Sequence, residues 1–384
     1  MLPLDGVTVV SLEQAVAAPF ATRQLADLGA RVIKVERPGL GDFARQYDHT
    51  VHGEASYFVW LNRGKESIEL DIKSEGDRAV LDRIIAGADV FVQNLLPGAV
   101  DRLGLDAATL REAQPELIHC SISGYGSEGP YRSKKAYDLL VQCESGLVGT
   151  TGTPDSVAKV GISVADIATG MYAYSGILSA LLRRERSSDG ATLEVAMLDA
   201  LGEWMMQPAY YSVYGGSPTR RTGARHASIA PYGPYRCGDG SMVFLSVQND
   251  REWKVVCEEI LHRPGFVADA RFVHNPERVA HDTEITVLLE DAFEEHGADE
   301  VVEMLDRVGI ACARLRTPAE FVEHPQLAAR DRWRKIGLPN GSTVDALLPP
   351  VIMNGADPVL GDVPGLGAHN ESLRAEFSDA PTNA

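Results

Sequence analysis

Short apolar runs alternate with longer amphipathic stretches through the first third of the chain. Val7–Leu12 (VTVVSL) has the nearly continuous apolar character of a strand buried on both faces of a parallel sheet. Ala18–Leu28 follows as a helix, with Gly29 placed to end it. Arg31–Glu36 (RVIKVE) reads as the next strand, stopped by Pro38. The alternation continues through Ser67–Ile72 (SIELDI), a helix over Gly76–Ala86, a strand at Asp89–Asn94 (DVFVQN), a short helix at Ala107–Ala113 and a strand at Leu117–Ser123 (LIHCSIS). Such alternation predicts an α/β fold built on a doubly wound parallel sheet.

A long apolar helix is expected from Val164 to Arg183, and Leu193–Met206 begins as a strand and runs into a further helix. Between Tyr211 and Arg225 the composition turns to Gly, Ser, Pro, Thr and Arg, which reads as a linker. Beyond it, Tyr232–Val247 predicts two strands around a Gly238-Asp239-Gly240 turn. Helices at Asp250–Leu261, Thr283–Glu295 and Ala298–Val308 and a strand at Ala311–Leu315 complete a smaller α+β unit. The expected division is a large domain over 1–210, a linker over 211–225, a small domain over 226–328, and a segment over 329–384 that returns to the large domain. The tail beyond Pro349 is rich in Pro and Gly and shows no periodicity.

Composition is that of an ordinary globular protein, and charge narrows the partners. Lys and Arg number 36 against 54 Asp and Glu, a net charge of −18. A surface of that sign repels phosphate backbones and anionic lipid, so neither nucleic acid nor membrane is expected as a partner. The five cysteines (Cys120, Cys143, Cys237, Cys257, Cys312) include no CxxC pair, which suits a reduced, cytoplasmic setting. The N-terminal stretch has no basic segment ahead of its apolar run and does not read as a signal peptide.

Gly124-Tyr125-Gly126-Ser127-Glu128-Gly129 matches GxGxxG after a strand, but a loop-like PYRSKK follows where a dinucleotide site needs a helix N-terminus. Glu36 ends a strand where a ribose ligand could sit, yet the first βα turn has no glycine, so no nicotinamide cofactor is expected. Scattered histidines without HExxH give no metal expectation, and no GxSxG elbow occurs. More informative are basic residues just beyond successive strands: Arg37, Lys73, Arg102 and the Lys134/Lys135 pair. That edge of an open α/β sheet is where ligands bind, so a polyanionic ligand is expected there. Asp166, in VADIATG at the start of the long helix, stands alone among apolar and small residues. It reads either as a helix cap or as a nucleophile beside backbone N–H groups that would stabilise an oxyanion.

Over essentially its whole length the chain resembles the family III CoA-transferases, the carnitine/bile-acid/formyl-CoA transferase family. The resemblance rests on PLDGVTVVSLEQAVAAPFATRQLADLGARVIKVERPGLGD, LNRGKESIELDIKSEG, ADVFVQNLLPGAVDRLGLD, ISGYGSEGPYRSKKAYD, VADIATGMYAYSGILSALLRRE and LGAHNESL. It implies a Rossmann-like large domain, a smaller α+β domain and an interlocked homodimer. It places the catalytic aspartate at Asp166 and the contacts to coenzyme A at Val16, Ala17, Arg37, Leu70, Lys73, Asn94, Leu95, Arg102 and Lys135. The implied reaction moves CoA from an acyl-CoA to a carboxylate through an aspartyl anhydride and an aspartyl-CoA thioester, without metal. The chain lacks the run of four glycines that covers the site in some members; Gly233, Gly238 and Gly240 are the available substitutes. Tyr137 stands where the α-methylacyl-CoA racemases of the same fold carry a histidine, so racemization is the alternative, lacking its second acid/base. The segment around Arg225 and His226 is similar to that of members handling C4–C5 dicarboxylates such as mesaconate, itaconate, malate and citramalate. A guanidinium suits the spare carboxylate of such an acceptor, and succinyl-CoA is the expected donor.

Overall fold

The computed structural model describes residues 1–216 and 219–378. The chain forms two compact units: Met1–Leu147 with Val160–Tyr210 and the chain from Ala329 onward, and Val148–Lys159 with Tyr211–Ala328.

The chain begins with β1 (Thr8–Leu12), α1 (Ala17–Asp27), β2 (Arg31–Glu36), α2 (Ser56–Asn62), β3 (Lys65–Glu69), α3 (Glu75–Ala86), β4 (Val90–Gln93), α4 (Ala99–Arg102), α5 (Ala107–Ala113), β5 (Ile118–Ser123) and α6 (Asp138–Glu144). A single turn, α7 (Leu147–Thr150), and the short ladder of β6 (Gly152–Thr153) with β7 (Ser156–Val157) come next. The long α8 (Val164–Ser187), β8 (Ala191–Ala196), α9 (Met197–Trp204) and α10 (Met206–Tyr214) follow.

The first unit is built on a six-stranded sheet in the order β3-β2-β1-β4-β5-β8, parallel throughout. Val9, Val10, Val90, Phe91 and Val92 are fully buried, as the apolar runs require of strands covered on both faces. On one face α1 and α8 supply Ala21, Leu25, Ala173 and Ile177; on the other α3 supplies Val80, Leu81, Ile84 and Ile85. The strand order reverses between β1 and β4, which creates a crevice at their C-terminal ends.

The second unit holds β9 (Tyr232–Arg236), β10 (Met242–Ser246), α11 (Asp250–Val255), α12 (Asn275–Ala280), α13 (Asp282–Phe293), α14 (Ala298–Arg307), β11 (Ala311–Arg314) and α15 (Pro318–Val322). Its antiparallel sheet, β11-β10-β9, packs Tyr235, Val243 and Leu245 against Trp253, Phe293, Val301 and Leu305. After α16 (Pro325–Ala329), the chain forms the hairpin of β12 (Trp333–Gly337) and β13 (Thr343–Leu347), and ends in α17 (Asn370–Glu376).

Several boundaries differ from the sequence expectation, each for a local reason. The third strand starts earlier and stops at Glu69, because Gly64 (φ +72) turns the chain into Lys65 and an Asp71–Ser74 turn ends it. The expected linker is helical as far as Tyr214, where Gly215 and Gly216 end α10. The helix expected over Asp250–Leu261 changes to a π turn at Val256–Ile260. In the tail, His369 Nδ1 and Asn370 Oδ1 accept the backbone N–H groups of Ser67 (3.0 Å) and Glu69 (2.7 Å) of β3, and α17 follows directly. An otherwise open edge strand is thereby covered.

Candidate active site

Asp166 lies in the first turn of α8, but it is not that helix's cap. The Asp138 carboxylate accepts the backbone N–H of Ala165, 27 residues further along, at 2.8 Å and that of Asp166 at 3.4 Å. Gln142 Nε2 donates to its other oxygen at 2.7 Å. The end of α8 is therefore already served, which leaves the Asp166 side chain without a capping role. The Asp166 carboxyl is set deep among protein groups while keeping partial contact with solvent. Burial raises its pKa to about 7, the charge of Asp138 adds to the rise, and the backbone N–H of Ala17 opposes it. Near neutral pH this carboxyl divides between acid and anion, unlike the fully ionised group expected of a cap.

Ala17 opens α1, and no side chain caps that helix. Its N-terminal N–H groups and dipole therefore favour negative charge where Asp166 sits. The two helices approach closely at Gly170, one turn beyond Asp166. A Cβ there would stand 2.6 Å from the Ala17 carbonyl oxygen and 2.9 Å from the Phe20 ring. The turn before α1 is conformationally costly: Ala15 has φ +63, a left-handed value that costs a residue with a Cβ roughly 1–2 kcal/mol. Asn94 brackets the neighbouring Gln14, accepting its N–H and donating to its carbonyl, both at 2.9 Å. Tyr47 completes the surroundings of Asp166. Its hydroxyl is pushed up to about 12 by burial and by charges that include Asp42 and Asp166, and its ring meets that of Tyr57 edge-on at 5.7 Å.

A cavity of about 670 Å³ opens at the crevice between the strand ends, lined by Leu12, Gln14, Glu36, Arg37, Leu70, Lys73 and Leu95 among others. Arg37, Lys73, Arg102 and Lys135 are exposed and have no ion-pair or hydrogen-bond partner for their side chains among the described residues. Only the first two of these line the cavity. Glu36 cannot serve a ribose: its carboxylate is taken by Arg45 (2.8 and 2.9 Å), Ser67 Oγ (2.7 Å) and the Asp42 N–H (2.9 Å). After the GxGxxG segment no helix begins until Asp138, so those glycines serve a turn. Among the described residues no group of three or more His, Cys, Asp or Glu side chains comes together as a metal site.

Sequence comparison decides the family. The profile of CoA-transferase family III matches residues 4–370. The chain belongs to that family. It is 36% identical over 383 residues to an acetyl-CoA:oxalate CoA-transferase of Acetobacter aceti, covering 98% of this chain and 96% of that one. It is 33% identical over 385 residues to a succinate–glutarate CoA-transferase of Agrobacterium fabrum, with the same coverage. The crystal structure of a CaiB/BaiF family protein from Brucella suis superposes with a TM-score of 0.87 at 35% identity, over 98% of this chain and 100% of that one.

As a family III CoA-transferase the enzyme acts on CoA thioesters, and the residues singled out from sequence divide into groups. Arg37, Leu70, Lys73 and Leu95 share one cavity, while Val16 and Ala17 are buried at the start of α1 beside Asp166. Asn94 instead braces the turn that leads into α1. Arg102 ends α4 and Lys135 lies in the loop before α6. Tyr137 is exposed and sits at the N-cap of α6. Arg225 and His226 belong to the second unit. The Arg225 guanidinium donates to the Pro234 carbonyl at 3.0 Å, lies 3.5 Å from the Asp282 carboxylate and covers the Tyr235 ring; the His226 ring stacks on Tyr232 at 5.2 Å. The substitute glycines have local duties: Gly238 packs against the Glu294 carbonyl, Gly233 against Arg225, and Gly240 (φ +80) makes the hairpin turn. Gln14, Asp42, Tyr47 and Asp138 were missed from sequence. Nothing in a linear pattern pairs Asp138 with a helix that begins 26 residues later, counting from 138 to Val164.

Proposed function

We propose that this CoA-transferase moves CoA from an acyl-CoA, with succinyl-CoA as donor, to a short C4–C5 dicarboxylate such as mesaconate, itaconate, malate or citramalate. Asp166 is the nucleophile. The observation that carries this reading is a carboxyl raised to about 7 beside the uncapped N-terminus of α1, three residues along the chain from the cavity wall at Gln14. In the sequence of steps, the Asp166 carboxylate adds to the donor thioester carbonyl, the C–S bond breaks, and CoA leaves as thiolate from a mixed anhydride. The thiolate then adds to the aspartyl carbonyl, releasing the donor acid and leaving an aspartyl-CoA thioester. The acceptor carboxylate enters by the same steps reversed and departs as its CoA thioester. One thioester replaces another, so no ATP is needed. Backbone N–H groups at the start of α1 are suited to the oxyanions formed on the way, and the anhydride must be kept from water.

Arg37, Lys73, Arg102 and Lys135, with Leu70 and Leu95 as apolar walls, are assigned to coenzyme A in the large domain. Their charges, without partners among the described residues, support that assignment in a chain of net charge −18. The relatives named for oxalate and for succinate and glutarate favour dicarboxylate substrates. The long contact of Arg225 with Asp282 leaves charge for an acceptor's spare carboxylate, with His226 beside it. An interlocked homodimer fits the exposed Tyr211 and Val213 of α10, which a second copy would cover. A cytoplasmic site of action fits five free cysteines, and no described helix is long and apolar enough to cross a membrane.

The test is incubation with succinyl-CoA and a panel of mono- and dicarboxylates, read by the masses of the new thioesters. Dicarboxylyl-CoA products are expected, and Asp166→Asn should lower turnover by at least about 10³-fold because the covalent route disappears. Equal use of monocarboxylates would overturn the substrate class, and an active Asp166→Asn would overturn the mechanism.

A further inference from the structure

Beneath the turn that leads into α1 lies a buried array of charges that the chemistry at Asp166 does not itself use. The side chains of Glu13, Lys34, Asp42 and Lys65 are all out of contact with solvent. Lys34 Nζ lies 2.8 Å from Asp42 and 3.2 Å from Glu13; Lys65 Nζ lies 2.7 Å from Glu13, which also accepts the Thr22 hydroxyl at 2.7 Å. A buried array of this kind is weak as a source of stability, because desolvation of the ions offsets their attraction and apolar side chains of equal size often serve as well. What apolar side chains cannot supply is an acceptor for a particular backbone N–H. Asp42 supplies one. Its Oδ1 accepts the N–H of Ala15 at 3.0 Å and that of Ala44 at 2.9 Å, while Oδ2 faces Lys34. Its own N–H is fixed by Glu36, and the next residue's N–H donates to the Gln14 side chain at 3.1 Å. Ala15 is the residue with φ +63, so the bond from Asp42 falls on the one position of this turn that is strained. Two residues later comes Ala17, which opens the uncapped α1 and whose carbonyl oxygen would stand 2.6 Å from a Cβ on Gly170, one turn beyond Asp166, so that its N–H bears on that carboxylate.

We propose that Asp42 is a positioning residue for the transfer reaction: through Ala15 it locks the Gln14–Ala17 turn in the conformation that presents the Ala17 N–H to Asp166. The inference rests on the reading of Asp166 as nucleophile. Asp42 touches no substrate in this account; it acts through the backbone. Lys34 fixes its orientation, and Lys34 is in turn held by Glu13, so the array forms a rigid base for a turn that would otherwise relax to negative φ. The groups bearing on Asp166 are the Ala17 N–H from α1, Asp138 from α6, and the Tyr47 hydroxyl from the loop before α2. Of these, the Ala17 N–H is the one that Asp42 controls through the turn.

The test uses Asp42→Asn, which keeps an oxygen for Ala15 but loses the charge that Lys34 orients, and Ala15→Val. The valine variant leaves the buried charges untouched, yet a β-branched residue is a severe outlier at positive φ. Both are assayed for kcat, KM for acyl-CoA and the pH dependence of kcat/KM, with Asp166→Asn alongside. The expected signature is a fall in kcat of about tenfold or more, KM within about threefold, and an acidic limb moved upward by about half a pH unit, since a lost N–H contact disfavours the carboxylate. A merely structural role would lower the melting temperature without moving that limb. If either variant, folded by circular dichroism, keeps the parent kcat and limb, the proposal is wrong. If Asp166→Asn is fully active, the reading of the nucleophile is wrong instead, whatever Asp42 does.

Discussion

A Cβ built on Gly170 would lie 2.6 Å from the carbonyl oxygen of Ala17, so α1 and α8 meet at a distance that only glycine allows. The contact sits one helical turn from Asp166, and it sets how near the N-terminus of α1 comes to that carboxyl. Gly170→Ala should force the helices apart, costing about 1–3 kcal/mol of stability and lowering kcat by about tenfold or more. Thermal melting and steady-state kinetics on one preparation check both. Parent kcat in a folded Gly170→Ala enzyme would show that this spacing does not matter.

Asp138 acts on the same group by charge. Asp138→Asn keeps an oxygen for the Ala165 N–H but removes the neighbouring anion that helps hold the Asp166 pKa up. The acidic limb of kcat/KM, expected near pH 7 in the parent, should move down by about half to one unit. A limb that stays in place would mean that Asp138 only caps α8.

The raised pKa also has a sign for stability. A carboxyl that titrates near 7 when folded and near its ordinary value of 3.8 when unfolded binds a proton more tightly in the native state. Its contribution is complete below the unfolded value and is lost as pH rises through the folded one. Asp166→Asn should therefore melt higher than the parent at pH 8, by about 2 °C or more, with the gap narrowing toward pH 4. Identical melting curves across that range would contradict a raised pKa.

Arg37 and Lys73 line the cavity assigned to CoA and have no side-chain partner among the described residues. Replacing either with Ala should raise KM for the acyl-CoA by about tenfold, change kcat by less than about threefold, and reduce the salt dependence of kcat/KM. Titration of KM against ionic strength is the check. If both variants keep the parent KM, the phosphates of CoA bind elsewhere.

Much of this was legible from the order of residues, for identifiable reasons. Strands such as Arg31–Glu36 are short and buried on both faces, so their apolar runs and flanking breakers mark them closely. Helix α5 falls on the expected residues because Asp106 caps it through the Thr109 N–H. Asp166 could be singled out because an isolated acid in an apolar first turn is unusual. Its surroundings could not be foreseen, since they depend on tertiary contacts: Asp138 reaches across 27 residues to Ala165, and Asp42 across 27 residues to Ala15. The same holds for Arg225, whose pairing with Asp282 spans 57 residues. Helix α10 runs only four residues into the expected linker, to Tyr214, because its residues carry no strong breaker before Gly215 other than Pro208 near the helix start.

An Asp166 carboxyl activated in turnover, first as an anhydride and then as a CoA thioester, is open to hydroxylamine, which attacks the aspartyl carbonyl, expels the donor acid or CoA, and leaves a hydroxamate on that residue. Enzyme turning over succinyl-CoA is quenched with hydroxylamine, digested and analysed by mass spectrometry. A hydroxamate on Asp166 is expected, dependent on acyl-CoA and absent from Asp166→Asn. A hydroxamate on another carboxyl, or none on an enzyme caught in steady turnover, would contradict Asp166 as the nucleophile.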